Sequence, residues 1–233
     1  MKIKYDPILG YSDISNVNFN KLVARLKIIA DFNGFESAKR ILLVGCGNGD
    51  EAFALAQFCK SKIYGIDLNA IPYESDDIVI INGSADNLPW VNNYFDLVIC
   101  NHVMEHVDSP KAVLREIKRV LLPRGYYYIA FPNKRRVVPS YWSSHLKLSL
   151  REIVVFNLRD LKYILNGKWE NKYGAHAGFS HREWKILMSE FFDDWEFDSF
   201  PNLFGMNRLF KKVESIVPFC LFLPSLKIKK IRK

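Results

Sequence analysis

Glycines at 45, 47 and 49, in the string VGCGNG at residues 44–49, are spaced for a tight turn that a ligand can approach closely. The turn stands between an apolar run and a helix-like segment, which puts its amides at the positive end of that helix. Asp67 follows 22 residues after Gly45. At the end of a second strand, its carboxylate can accept hydrogen bonds from both hydroxyls of a ribose. A dinucleotide fingerprint would need glycine at position 50, where Asp50 stands. An acid there also disfavours a pyrophosphate, and no Gly-Lys-Ser/Thr follows to make a P-loop. The pattern therefore asks for a nucleoside without a pyrophosphate; the alternative is a plain turn beside an exposed Asp.

Such residues need strand ends brought side by side, and the middle third of the chain alternates strand-like and helix-like segments. Arg40–Val44, Lys62–Asp67, Ile78–Asn82, Phe95–Asn101 and residues 126–132 read as strands. Residues 50–60 read as a helix packed on a sheet. Residues 109–122 read as another, with Ser109 as N-cap, Pro110 at its first position, and Val113, Leu114, Ile117, Val120 and Leu121 on its apolar face. This βαβ rhythm predicts a mostly parallel sheet covered on both faces. The connection from residue 67 to 78 is short for a crossover, so its helix should be stunted. Residues 18–32 form an amphipathic pattern with Leu22, Leu26, Ile29 and Ala30 apolar. Residues 181–192 read as a helix, 195–200 as a strand, and 226–232 as an edge strand guarded by lysines.

The string VGCGNG resembles motif I of the class I S-adenosylmethionine-dependent methyltransferases. The rest follows in that family's order: Asp67, GSADNLPW at 83–90, FDLVICNHVMEHV at 95–107, and LREIKRVLLPRGYYYIAFPN at 114–133, with a weaker match over 176–192. The similarity points to the broad small-molecule group called type 11. It implies an α/β, Rossmann-like three-layer sandwich with an inserted cap. Its seven-stranded, mostly parallel sheet would run in the order 3-2-1-4-5-7-6 with the seventh strand antiparallel. The whole chain would be one domain: an N-terminal helical segment at 1–39, a cofactor-binding core at 40–133, a cap or substrate insertion at 134–180, and a C-terminal helix and strands at 181–233.

The resemblance implies S-adenosylmethionine as the cofactor. Gly45, Cys46 and Gly47 would line its methionine and ribose portions. Asp67 would hold the ribose hydroxyls, with Leu68 beside the adenine. Ala85 and Asp86 would meet the adenine edge, and Asn101 and His102 would face the methionine part. Two positions depart from the family pattern: Leu43 stands where an acidic residue is usual, and Pro123-Arg124-Gly125 replaces a Pro-Gly-Gly turn.

Methyl transfer from a sulfonium is an in-line displacement, and positioning alone can supply about 7–11 kcal/mol of its barrier. A base is needed only for a hydroxyl or ammonium acceptor, and histidine suits that task near neutrality. His106, just past the fourth core strand, and His176, before the capping box of Ser180 and Glu183, are the candidate catalytic residues. Glu105 either orients His106 or is a first-turn helix charge. Asn101-His102-Val103-Met104 replaces the NPPY or DPPY pattern of amino-directed enzymes, which favours O-, C- or other small-molecule methylation over methylation of an exocyclic base amine; O-methylation of a small molecule is the leading reading. An RNA or protein methyltransferase and a non-catalytic cofactor-binding subunit are the alternatives.

The chain of 233 residues is 49% hydrophobic, far too apolar for disorder. Its net charge of +8 is uneven: +3 over residues 1–40, −4 over 41–133 and +9 over 134–233. A nucleic-acid partner would suit a uniformly basic protein better than one with an acidic middle. Lys134, Arg135 and Arg136 with Tyr141 and Trp142 read as a basic loop over the pocket. The aromatics Phe156, Tyr163, Trp169, Tyr173, Phe179 and Trp184 suit a lid over a planar or lipidic acceptor. Residues 215–226 are apolar and precede five basic residues, so peripheral membrane contact through the C-terminus competes with packing on the sheet. Four cysteines without a CxxC pair predict neither a metal site nor a disulfide framework. With no apolar leader at the N-terminus, they point to the cytoplasm.

Overall fold

The structure is a computed structural model. It describes residues 5–6, 11–12, 20, 23, 26, 37–132, 149–151, 154–155, 158, 162, 166, 178–193, 195–199 and 225–229. Strands β1 (Tyr5–Asp6) and β2 (Tyr11–Ser12) pair only with each other. The main sheet holds eight described strands: β3 (Arg40–Val44), β4 (Lys62–Asp67), β5 (Tyr73–Glu74), β6 (Ile78–Asn82), β7 (Phe95–Asn101), β8 (Leu121–Pro132), β9 (Glu196–Ser199) and β10 (Ser225–Lys229). Their spatial order is β5-β6-β4-β3-β7-β8-β10-β9. With β5 set aside, the other seven follow the expected 3-2-1-4-5-7-6 order. β10 runs antiparallel to both its neighbours, and β3, β4, β6, β7 and β8 are mutually parallel.

The alternation of side chains along β3 divides the interior into two layers. Leu42 and Val44 face a cluster that includes Tyr64, Val98, Tyr127, Ile129 and Phe131. Helix α2 (Pro110–Val120) adds Val113, Leu114, Ile117 and Val120 to this cluster, and α3 (His181–Phe191) adds Trp184 and Met188. Ile41 and Leu43 face the opposite layer, where α1 (Asp50–Ala56) supplies Ala52, Ala54 and Leu55. Leu26, helical and fully buried, joins that second layer. A buried aliphatic side chain contributes about 1.5–3 kcal/mol, so the four from α2 alone hold the helix firmly to the sheet.

The caps follow the sequence. Ser109 Oγ accepts from the Ala112 amide at 3.3 Å with Pro110 opening α2. Ser180 and Glu183 form a reciprocal capping box at the start of α3.

Three expectations are corrected. The connection between residues 67 and 78 contains β5, antiparallel to β6, and no helix; its ten residues fall short of the dozen or more that a helical crossover takes. The strand expected at 126–132 begins at Leu121, which pairs with Phe95 before residues 122–125 swing out and pairing resumes at Tyr126. Arg124 lies in that excursion with φ +65°, the conformation that the usual glycine would adopt freely. The last strand is interior: β10 is hydrogen-bonded on both sides, and β9 forms the edge. No described helix is long and apolar enough to cross a membrane.

Candidate functional site

The turn after β3 hangs on the end of β4. The amides of Gly45 and Cys46 both donate to the Ile66 carbonyl, at 2.8 and 3.1 Å. Gly45 has φ +73°, and a Cβ there would stand 2.0 Å from Cγ2 of Val103, so the backbone presses directly on the segment after β7. Gly47, at φ +53°, is different: a Cβ placed on it would meet no atom within 4 Å. Its face is open, and its N–H is directed at Asp67. Gly49, also at positive φ, is the N-cap of α1 and packs on Ile80.

Asp67, at the end of β4, is held from two sides. Its Oδ2 accepts from the Gly47 amide at 3.0 Å and its Oδ1 from the Asn69 amide at 2.9 Å. Each oxygen keeps a further lone pair, so the carboxylate is oriented and still able to accept two more hydrogen bonds. Leu68, 67% exposed, follows it. The next strand end carries Ala85, half-buried, and Asp86, exposed, whose Oδ1 accepts from Ser84 Oγ at 2.5 Å.

That loop is fastened from behind. Glu116 on α2 accepts from the Leu88 amide at 2.8 Å and Arg119 donates to the carbonyls of Leu88 and Trp90 at 2.8 and 2.7 Å. The Arg119 guanidinium, donating to Glu116, and the Leu88 amide hold the Glu116 carboxyl below its ordinary range.

On the other side of β3, Asn101 ends β7 and donates from Nδ2 to Oε1 of Glu51 at 2.6 Å, tying β7 to the first turn of α1. His102 follows at φ +57°, an uncommon conformation for a non-glycine residue, and its amide donates to the Ala130 carbonyl at 2.8 Å. Its Nδ1 lies 3.3 Å from Oε1 of the fully buried Glu105. Residues 104–106 form a turn, and α2 opens only at Pro110. Glu105 is therefore no first-turn helix charge, and the histidine it orients at Nδ1 is His102. His106 is exposed at that turn.

Burial pushes the Cys46 thiol up to about 12, with the charges of Asp67 and Glu51 adding to the effect. Burial, then Glu105 and Glu51, raise Cys100 as well. Both thiols thus stay protonated inside an acidic strand-end region, and neither is poised as a nucleophile.

The residues singled out from the sequence fall on one line across the carboxyl ends of four adjacent strands. Asp86 and Ala85 follow β6, Asp67 ends β4 with Leu68 next, Gly45, Cys46 and Gly47 follow β3, and Asn101 ends β7 with His102 next. His176, the Lys134–Arg136 loop residues, Tyr141, Trp142, Phe156, Tyr163, Trp169, Tyr173 and residues 215–224 lie outside the described residues. Of the proposed lid aromatics, Phe179 and Trp184 are described, and both pack on Phe131 as core. Glu51, Glu105, Glu116 and Arg119 carry contacts that the sequence reading did not assign. Their spacing of 50 residues from Asn101 and 28 from Leu88 in the two cross-links leaves no local signal.

Residues 42–129 match the methyltransferase domain family. The ubiquinone biosynthesis O-methyltransferase of Neisseria meningitidis serogroup A is 31% identical over 107 residues, 41% of this chain and 45% of that protein. An uncharacterised protein of Methanocaldococcus jannaschii is 35% identical over 105 residues, 45% of this chain and 46% of that one. The chain spans between about a third and a half of the curated relatives it matches. Among solved structures, a possible histamine N-methyltransferase of Thermotoga maritima aligns over 93% of this chain and 92% of its own at a TM-score of 0.55 and 17% identity, a likeness of fold. The matched motifs occupy the carboxyl ends of the parallel strands, and residues 42–129 of this chain are similar to the methyltransferase domain family.

Proposed function

We propose that this chain transfers a methyl group from S-adenosylmethionine to the oxygen of a small-molecule acceptor. The observation that carries the reading is the Asp67 carboxylate, fixed by the Gly47 and Asn69 amides with lone pairs to spare beside the open face of Gly47. A ribose on that face would meet the two acceptor oxygens its hydroxyls require. The residues present therefore fit the cofactor.

When bound, S-adenosylmethionine supplies an activated methyl on a sulfonium. The chain's own residues position it. Gly45, Cys46 and Gly47 leave backbone in direct reach of the ligand. Asp67 would hold the ribose and Leu68 would flank the adenine. Ala85 and Asp86 would meet the adenine edge, with Asp86 accepting from its amine, and Asn101 and His102 would border the methionine part. A hydroxyl acceptor loses a proton as the methyl moves, and the turn after β7 offers histidines for it: His106, exposed, and His102, oriented through Nδ1 by Glu105. His176 is a further candidate for the same task.

The Asn101-His102-Val103-Met104 sequence favours an O-, C- or other small-molecule acceptor over an exocyclic base amine, and the similarity to an O-methyltransferase of ubiquinone biosynthesis supports oxygen. The aromatic, basic segment after residue 133 suits recognition of a small acceptor, with surface contact through the C-terminus as an accessory role. The free cysteines among the described residues, Cys46, Cys59 and Cys100, suit work in the cytoplasm.

Isothermal calorimetry tests the shared premise. The wild type should bind S-adenosylmethionine, and Asp67→Ala should weaken it about 10- to 100-fold, as expected for losing hydrogen bonds to a charged group. No binding by the wild type, or unchanged binding by Asp67→Ala, rejects the reading. Metabolite profiling of a deletion strain identifies the acceptor; a salt-sensitive complex with RNA in its place would move the assignment to an RNA methyltransferase.

A further inference from the structure

We propose that Glu51 binds the α-ammonium of the cofactor's methionine moiety, with Asn101 orienting its carboxylate. The proposal rests on the cofactor reading above and adds a residue to it. Glu51 is half-buried on the first turn of α1. One oxygen accepts from Asn101 Nδ2 at 2.6 Å; among the described residues the other accepts no hydrogen bond, and no Lys or Arg forms an ion pair with it. A carboxylate partly withdrawn from water without a cation costs free energy until a cation reaches it.

Its position is fixed by geometry. The first turn of α1 follows the β3 turn directly, and the 2.6 Å hydrogen bond from Asn101 at the end of β7 places the Glu51 carboxylate between those two strand ends; its charge contributes to raising both Cys46 and Cys100. Asp67 marks the ribose at the β4–β3 junction, and Asp86, beyond β4 on the β6 side, marks the adenine end. The remainder of a molecule threaded along this edge must then pass from β3 toward β7, which is where Glu51 and Asn101 meet. The position where the family pattern keeps an acid cannot serve, because Leu43 is 1% exposed in the layer beneath α1. His102, the neighbouring titratable group, is directed to Glu105. Of the two half-buried carboxylates on the first turn of α1, Asp50 and Glu51, it is Glu51 that Asn101 holds toward the end of β7, and so Glu51 is the one placed to face an ammonium.

The test compares three ligands by calorimetry: S-adenosylmethionine, S-adenosylhomocysteine and 5′-methylthioadenosine, which lacks the amino-acid end. Glu51→Gln should weaken the first two by about 10- to 100-fold and leave the third within about twofold. Retained binding of 5′-methylthioadenosine also certifies the fold of the variant. Asp67→Ala should weaken all three. Glu51→Asp, which keeps the charge, should bind S-adenosylmethionine more tightly than Glu51→Gln. Equal losses for all three ligands in Glu51→Gln, no loss for any, or the reverse order of Asp and Gln overturns the proposal while leaving the cofactor reading intact. A wild type that binds none of the three overturns both.

Discussion

Gly45 shows how narrowly single residues are specified at this site. Its amide is tied to Ile66, its φ is +73°, and the space where a side chain would begin is filled by Val103. Alanine there meets both penalties at once: about 1–2 kcal/mol for the left-handed backbone and about 1–3 kcal/mol for the contact. Gly45→Ala should therefore lose about 2–5 kcal/mol in urea unfolding. Adding Val103→Ala should recover only the contact part, leaving the backbone part. Full recovery, or none, would show that one of the two causes is absent. His102 is the counterpart: a non-glycine residue at φ +57°, kept there by the Ala130 carbonyl and placed beside a buried carboxylate. Strain of this kind persists only where the surroundings over-determine it.

Among the elements, α2 does more than cover the sheet. Its inner face packs Val113, Leu114, Ile117 and Val120, while Glu116 and Arg119 reach past its flank to hold the loop that carries Ala85 and Asp86. This link has a pH signature. The Glu116 carboxyl is held below its ordinary value of 4.5, with hydrogen bonding from Arg119 as the main cause. A carboxyl depressed by folding contributes stability that is complete above its unfolded value and fades as pH falls through the lower folded one. Glu116→Gln should be less stable than the wild type by about 1 kcal/mol at neutral pH. The two stability curves should converge in acid, below the ordinary carboxyl range. A gap that persists there would mean that Glu116 acts by packing and not by charge.

At the scale of the molecule, α3 completes the same core that the parallel strands build. Trp184 of α3 is fully buried, with its ring 4.3 Å from Phe131 of β8, and β10 lies between β8 and β9. Trp184→Ala should cost about 3–5 kcal/mol. Because its contacts are shared with α2 and β8, unfolding followed by tryptophan fluorescence and by far-ultraviolet circular dichroism should shift together, as one transition. Separate midpoints would show that the C-terminal elements fold as a unit apart.

What was legible in advance follows from the range of the interactions. Parallel strands buried on both faces write themselves as short apolar runs, and caps are read from neighbours three residues apart. The strand positions and the caps of α2 and α3 were therefore open to reading. The glycine turn and Asp67 were legible for a related reason: backbone at positive φ and a carboxylate at a strand end restrict residue type wherever they occur. Sheet order beyond the βαβ units came from resemblance, since nothing in the lysine-rich strand at 225–229 states that it lies inside the sheet. Its hydrogen bonds join it to β8, about a hundred residues away in the chain, and to β9, about thirty away. The pairing of Glu105 with His102, the cross-link from Glu51 to Asn101 and the clasp of Arg119 on the loop are likewise products of packing. Sequence by itself determined which strand ends could meet a nucleoside and that Asp67 stands at one of them; only the tertiary structure decided that Glu51 reaches the end of β7, because that contact joins residues 50 apart and is placed by what α1 folds against.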